Sequence, residues 1–391
     1  MNYILHDGQL QDQLLPFTYT RPVADIRIGI ETIREKWEDF LQAKTSTKTR
    51  EHLSVLWPLD EGSENIFIDA SYLPTKQLVD KVTGLKPGQV VLYNQIVVAY
   101  CCEKGQSLDL DQFESIQYRD EEPIRVEHTW DIFTKNKEAI KADFDRITAG
   151  RSSRPIPEGC AVINAEQVFI EEGAKVLFSS LNAEDGPIYI GKDSLVMEGS
   201  RIRGPFALCE GSIVKMGAKI YSGTTVGPFC KIGGEVNNSV LFGFSNKGHD
   251  GFLGNSVLGE WCNIGADSNT SNLKNNYAEV RLWDYAAQSF AKTGLQFCGL
   301  IMGDHSKCGI NTMFNTGTVV GVSANVFGTG FPRNYIPSYS WGGNAGFTTY
   351  QTKKALDTAR AMMGRRNLEL TQEETDVLMA VFEQTASFRR D

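Results

Sequence analysis

Aliphatic residues recur every six positions through the middle of the chain. Ile190, Val196, Ile202, Leu208, Val214, Ile220, Val226 and Ile232 hold one phase without a break. Two residues before each stand Ile188, Ser194, Ser200, Phe206, Ser212, Ala218, Thr224 and Cys230, mostly small. A period of six is neither the 3.6 of a helix nor the 2 of a lone strand. It predicts a parallel β-helix, in which three hexads make one triangular coil. The aliphatic points to the axis and the small residue fits beside it. Coils stack at the strand spacing of ~4.8 Å, and only stacking buries their apolar faces.

The same phase extends the solenoid on both sides. It begins loosely at Val162, Ile170 and Val176, is interrupted by SSLNAEDGP (179–187), and resumes at Phe252, Leu258 and Ile264. A second excursion covers 272–296. Met302, Cys308, Phe314, Val320 and Val326 mark the last coils, with Ser306, Thr312, Thr318 and Ala324 in the small positions. The tail from Thr349 reads as helical, with a Thr371–Glu374 capping box and an apolar stripe of Val377, Leu378, Val381 and Phe382 expected to cap the last coil.

The first 150 residues follow another pattern. Apolar runs at 53–57, 65–68, 89–94 and 95–101 alternate with amphipathic stretches such as IETIREKWEDFLQAK, which predicts an α/β domain. Residues 44–52 read as a polar loop and 129–147 as a closing helix, with AGRSSRPIPEG (149–159) as a linker. The expected organisation is therefore an α/β domain over 1–150, a parallel β-helix over 151–345, whose hexads resemble the left-handed β-helix of hexapeptide acyltransferases and so imply that hand, and C-terminal α-helices over 346–391.

Composition narrows the function classes. A net charge of −9 argues against nucleic acid as a partner and against a polybasic membrane patch. No apolar run approaches ~20 residues, and MNYILHDGQ is not a secretory leader, so a cytoplasmic protein is expected. The eight cysteines have no metal spacing. Cys230, Cys262 and Cys308 fall on interior hexad sites, as buried free thiols would.

The string SNKGHDGFLGNSVLGEWCNIGADSNTSNL (245–273) carries candidate chemistry. His249 is a candidate general base, because imidazole titrates near neutral pH and an attacking amine must lose a proton. Asn263 and Asn272 are candidates to hold sugar hydroxyls or a developing oxyanion. The alternative from the residues alone is a loop histidine and turn-filling asparagines.

HDGFLGNSVLGEWCNIGADSNTSN resembles the acetyltransferase half of the GlmU-like bifunctional enzymes, which acetylate glucosamine-1-phosphate and make UDP-N-acetylglucosamine. It is also similar to archaeal sugar-1-phosphate nucleotidylyltransferases with a β-helix tail. The resemblance implies His249 as catalytic base and Asn263 and Asn272 as substrate-binding residues. It implies Ala266, and Ile310 and Asn311 within GLIMGDHSKCGINTMFNTGTVVG (299–321), as contacts for acetyl-CoA. Phe252 stands at the family's substrate-side Tyr. Asn237 replaces the Lys that grips the acceptor phosphate, which leaves Lys231, Lys247 or Lys274 to supply that charge.

QLLPFTYTRPVADIRIG (13–29) resembles the opening of sugar nucleotidyltransferases, with Pro16, Phe17, Thr18 and Pro22 in order. The Gly-rich phosphate loop is missing and the Lys after Pro is Val23, so Arg21 is the candidate phosphate grip. IFIDASYLP (66–74) and TWDIF (129–133) make Asp69 and Asp131 candidate Mg²⁺ ligands. The resemblance thus implies a homotrimeric transferase that uses acetyl-CoA, Mg²⁺, a sugar phosphate and an NTP, expected to be UTP. The alternative is nucleotidyl transfer alone, with the β-helix as a trimerising scaffold.

Overall fold

The computed structural model describes residues 1–389. The chain forms two compact units, one of residues 1–14, 20–26 and 31–128, the other of residues 15–19, 27–30 and 129 onward.

The first unit is built on a six-stranded sheet. Its strands are β1 (Asn2–His6), β2 (Thr45–Lys48), β3 (Glu64–Asp69), β4 (Gln89–Tyr93), β5 (Ile96–Glu103) and β6 (Glu114–Gln117), in the order β2-β1-β3-β5-β4-β6. β1 is parallel to both β2 and β3, so the strand order reverses at β1. β4 and β5 form an antiparallel hairpin whose loop residues Asn94 and Gln95 have φ of 49° and 68°. Two positive φ values give the loop twist that matches the strands. Helix α1 (Ile33–Leu41) starts at a Thr32–Glu35 capping box and buries Trp37, whose Nε1 donates to Tyr72 O at 2.9 Å.

Two expectations in this unit are corrected. The polar stretch 44–52 is not a loop: Thr45–Lys48 is edge strand β2, and helix α2 (Glu51–Ser54) follows. Its Thr-rich sequence suits a strand, and an edge strand needs few apolar residues. The run 53–57 is not a strand. Only Leu53 is buried there, and Val55 is 51 % exposed. Helix α3 (Lys76–Thr83) completes the layer.

The second unit is the parallel β-helix with C-terminal helices. Three sheets of six, nine and ten strands run along it, with parallel pairs throughout except the terminal hairpin of Ser340–Gly343 with Gly346–Thr349. The expected aliphatics form one continuous core, from Val168 to Ile336. Ser194, Ser200, Ser212, Ala218, Thr224 and Cys230 lie buried beside them. Cys230, Cys262 and Cys308 are buried and free, as expected. Burial pushes the Cys262 thiol up to about 12, so it is a packing group and not a thiolate.

Two phase errors are corrected. Residues 179–187 do not leave the solenoid. Ser180–Asn182 is a strand of the six-stranded face, with Leu181 aligned to Val162 and Ile202. Phe252 is not interior. It aligns with Glu235, while Leu253 aligns with Val236 and is fully buried. Short steps from Ile232 to Val236 and from Val236 to Leu241 move the phase. The interior site between Leu241 and Leu253 is held by Lys247, aligned with Ile232.

The nine-stranded face is buried on both sides. Its outward residues Ala207, Thr225, Val240, Val257, Ile301 and Val319 are all buried. Helix α4 (Asp131–Thr134) leads into helix α5 (Asn136–Thr148), and the residues covering the face include those of α5 with Gly29 and Ile30. Asn136 Oδ1 accepts from Gly29 N at 2.7 Å, its Nδ2 donates to Gly223 O at 2.9 Å, and Thr225 Oγ1 donates to Gly29 O at 2.8 Å. Phe17 packs on Phe242 at 5.0 Å between ring centres. The excursion 272–296 folds as an antiparallel hairpin, Arg281–Asp284 with Ser289–Lys292.

Helices α6 (Thr352–Gly364) and α7 (Gln372–Gln384) do not simply cover the end coil. Tyr339 OH, near the last coil, donates to Leu378 O at 2.7 Å. Arg366, in the turn between the helices, donates to Phe229 O at 3.1 Å. Phe229 lies several coils back, so the pair runs along the flank of the solenoid. A 13-residue helix spans about 20 Å, the height of some four coil spacings. The Thr371–Glu374 capping box is present.

Candidate functional site

One edge of the ten-stranded face, where the chain turns into the six-stranded sheet and then into the short parallel pair Asn269–Thr270 with Met313–Phe314, gathers four of the predicted residues. Each coil turns there through a short corner: 248–251, then 265–267, then 309–311. Asp267 N donates to Asp250 O at 3.1 Å, and Asn311 N donates to Ala266 O at 2.8 Å. His249, Ala266, Ile310 and Asn311 therefore sit on three successive coils, over a rise of about 10 Å. Such close stacking needs glycine at the corner. A Cβ on Gly265 would lie 2.4 Å from the Gly309 carbonyl carbon.

His249 is exposed, and no hydrogen bond of its imidazole is present among the described residues. Its backbone is held from inside. Lys247 is 1 % exposed, and its ammonium donates to His249 O at 2.5 Å, Asp250 O at 3.1 Å and Gly233 O at 3.5 Å. Burial lowers its pKa to about 8, against the raising effect of Asp250. An ammonium turned inward onto three carbonyls does not fit the phosphate grip expected of Lys247. It is the internal brace of the histidine corner.

The asparagines stand nearby. Asn263 lies outward on the ten-stranded face, between Asn246 and Lys307. Asn272 Nδ2 donates to Asn255 Oδ1 at 2.8 Å. Phe252 is outward on the six-stranded face, with its N–H donating to Asn269 Oδ1 at 2.9 Å. Lys274 donates to Glu279 O at 2.8 Å, at the base of the hairpin excursion. Ile310 is an apolar residue at this edge and is 69 % exposed.

In the first unit, the carboxyl ends of β1, β2 and β3 bring His6, Asp7, Lys48, Thr49, Arg50 and Asp69 together. Ligands of open α/β sheets bind where the strand order reverses, outside these ends. Asp7 Oδ1 accepts from Val23 N at 2.7 Å and Oδ2 from Thr49 Oγ1 at 2.5 Å. Burial raises its pKa to about 6, against those hydrogen bonds. Arg50 Nε donates to Gln11 Oε1 at 2.6 Å. Sequence reading passed over Asp7 and Arg50; the usable signal was an Asp-Gly turn directly after the first strand.

The predicted metal ligands are already engaged. Asp69 Oδ1 accepts from Ser71 N at 2.9 Å and Ser71 Oγ at 2.7 Å, and Oδ2 pairs with Arg125 at 3.2 Å. Asp131 pairs with Lys135 at 3.4 Å. Arg125 thus neutralises Asp69 and Lys135 neutralises Asp131 in this arrangement. No group of three metal-ligating side chains occurs among the described residues. Arg21 is buried, at 5 % exposure, and is not presented to solvent as a phosphate grip requires. No helix of the described residues is long and apolar enough to cross a membrane.

Residues 3–152 match a family model described as sugar nucleotidyl transferase. The chain is 32 % identical over 87 residues to the bifunctional protein GlmU of Methanocaldococcus jannaschii, covering 22 % of this chain and 21 % of that protein. The match thus spans about a fifth of the relative's length. Among solved structures, LpxA from Bacteroides fragilis, a UDP-N-acetylglucosamine acyltransferase, aligns over 57 % of this chain and 96 % of its own, at 12 % identity and a TM-score of 0.25. The polysialic-acid-specific acetyltransferase NeuO aligns over 49 % and 79 %, at 18 % identity and a TM-score of 0.18.

Proposed function

We propose that the protein is a cytoplasmic transferase of sugar-nucleotide synthesis with two active units. The β-helix transfers acetyl from acetyl-CoA to the amine of an amino-sugar phosphate. The first unit couples a sugar-1-phosphate to an NTP, with UTP the expected nucleotide and UDP-N-acetylglucosamine the expected product. The observation that carries the acyl-transfer half is the corner ladder, which sets an exposed, unpaired imidazole on consecutive coils with Ala266, Ile310 and Asn311. His249 takes the amine proton as the nitrogen attacks the thioester carbonyl. The new C–N bond forms, the C–S bond breaks, and the imidazolium returns the proton to the leaving thiolate. Ala266, Ile310 and Asn311 line the path of the thioester, and Asn263 and Asn272 hold the sugar. What supports the nucleotidyl half is the family match over 3–152 and the polar groups at the ends of β1–β3.

The test follows free CoA thiol from acetyl-CoA and glucosamine-1-phosphate. Wild type is expected to release thiol and His249→Ala is expected to lose at least ~100-fold in rate, the usual worth of a general base. No release from wild type with any amino-sugar acceptor sinks the acyl-transfer half. Pyrophosphate release from UTP and N-acetylglucosamine-1-phosphate tests the other half separately. A homotrimer is proposed as the working assembly, and light scattering at micromolar concentration that returns a monomer refutes it.

A further inference from the structure

The ten-stranded face carries a group of cations beside the histidine corner. Lys231 is outward on its strand, aligned with Ile213 below and Asn246 above. Lys215 lies one coil earlier, where a Cβ on Gly233 would come within 3.1 Å of its own Cβ. The two lysines are thus diagonal neighbours on adjacent coils, a spacing of about 7–8 Å. Arg366 is brought to the same place by its bond to Phe229 O, two residues before Lys231. Arg365 precedes it in the turn between α6 and α7.

No carboxylate forms an ion pair with these four side chains among the described residues. They also act on one another. Burial, then Arg366, Lys215 and Arg365, lower the Lys231 pKa. Four cations gathered by the fold without a counter-charge raise each other's cost unless an anion joins them. A second observation points the same way. Asn246, directly beside Lys231, has a buried amide oxygen with no hydrogen-bond partner. Such an orphan acceptor needs a donor, which a ligand hydroxyl supplies. The position is also telling. A Cβ on Gly248, the residue before His249, would lie 3.9 Å from Lys231 Cβ.

We propose that Lys215, Lys231, Arg365 and Arg366 form a phosphate site, with the amide of Asn246 receiving a hydroxyl of the same ligand. The site takes the phosphate monoester of a ligand whose reactive end lies at His249. It replaces the charge missing at Asn237 by cations from two other coils and from the C-terminal helical turn. Its ligand identity rests on the acyl-transfer reading above; its capacity to bind a phosphate does not. The phosphate belongs either to the amino-sugar phosphate or to the 3′ position of coenzyme A.

The experiment is titration calorimetry on the full chain with three probes: glucosamine-1-phosphate, coenzyme A and 3′-dephospho-coenzyme A. The proteins are wild type, Lys231→Ala/Arg366→Ala, and Lys219→Ala as a control, whose ammonium pairs with Glu235 on another face at 3.9 Å. At least one phosphate probe is expected to bind wild type, with affinity that falls as salt rises. The double variant is expected to weaken it about 10-fold or more, and the control to leave it unchanged. Loss for glucosamine-1-phosphate assigns the site to the acceptor. A coenzyme A affinity that exceeds that of the dephospho form only in wild type assigns it to the cosubstrate. Failure of all probes to bind wild type, or equal binding by the double variant, overturns the site. If thiol release is absent while the double variant still loses phosphate binding, the acyl-transfer reading fails and the phosphate site stands.

Discussion

Lys247→Met separates what the buried ammonium does for stability from what it does for function. The side chain replaces an aliphatic at an interior site, aligned with Ile232. Its pKa of about 8, against 10.5 for a free lysine, measures the cost of carrying the charge there. At about 1.4 kcal/mol per pH unit, the protonated form costs roughly 3 kcal/mol at pH 7. The sign follows from linkage. The folded pKa is depressed, so the unfolded chain binds the proton more tightly, and stability rises with pH between about 8 and 10.5. Integration from pH 7 to 9.5 returns about 2 kcal/mol to the wild type. Methionine has a similar volume and no charge, so the variant is expected to be at least as stable as wild type at pH 7. That advantage shrinks by about 2 kcal/mol at pH 9.5. The three carbonyls lose their donor, so the His249 corner loosens and acetyl transfer falls by at least ~10-fold. Urea denaturation of both proteins at the two pH values, with the thiol assay alongside, makes the test. The difference between proteins cancels other groups that titrate in the same range. A variant more than ~2 kcal/mol less stable at pH 7, with no pH-dependent difference, refutes the reasoning.

Three further outcomes are expected. Gly265→Ala places a methyl 2.4 Å from the next coil's backbone, so it is expected to lower the melting temperature and abolish thiol release; unchanged values in both show the corner has slack. Leu208→Ala removes a fully buried side chain held between Ile190 and Val226 in register, and the urea midpoint should fall by the equivalent of about 3 kcal/mol. Asp7 has its folded pKa raised to about 6 by burial, so its charge opposes folding above that pH. Asp7→Asn is expected to stabilise by about 2–3 kcal/mol at pH 7 and by nothing below pH ~4, read as the pH profile of the unfolding midpoint.

The sequence by itself determined the solenoid. An interior that must be apolar on every side writes its period into the chain, and Ile190 to Ile232 spell it without a gap. It also determined the C-terminal capping box, because Thr371 and Glu374 act across a single helical turn. The corner ladder of His249, Ala266, Ile310 and Asn311 was legible as a motif, although their closeness comes only from coil stacking. The phase around Phe252 was not legible, because two short steps shift the interior to Leu253. Lys247 was misread for a simple reason: a charged side chain on paper looks like a surface group, and only the carbonyls at the corner let it turn inward. Strand β2 looked like a loop because an edge strand needs no apolar run. The burial of Ala207 and Thr225 on the outside of the coil depends on residues such as Gly29 and Ile30, 196 positions earlier in the case of Gly29 and Thr225. The phosphate site joins Lys215 and Lys231 to Arg365 and Arg366 in the same way. Short-range patterns carry the period and the caps; which surfaces meet is decided by packing between segments far apart in the chain.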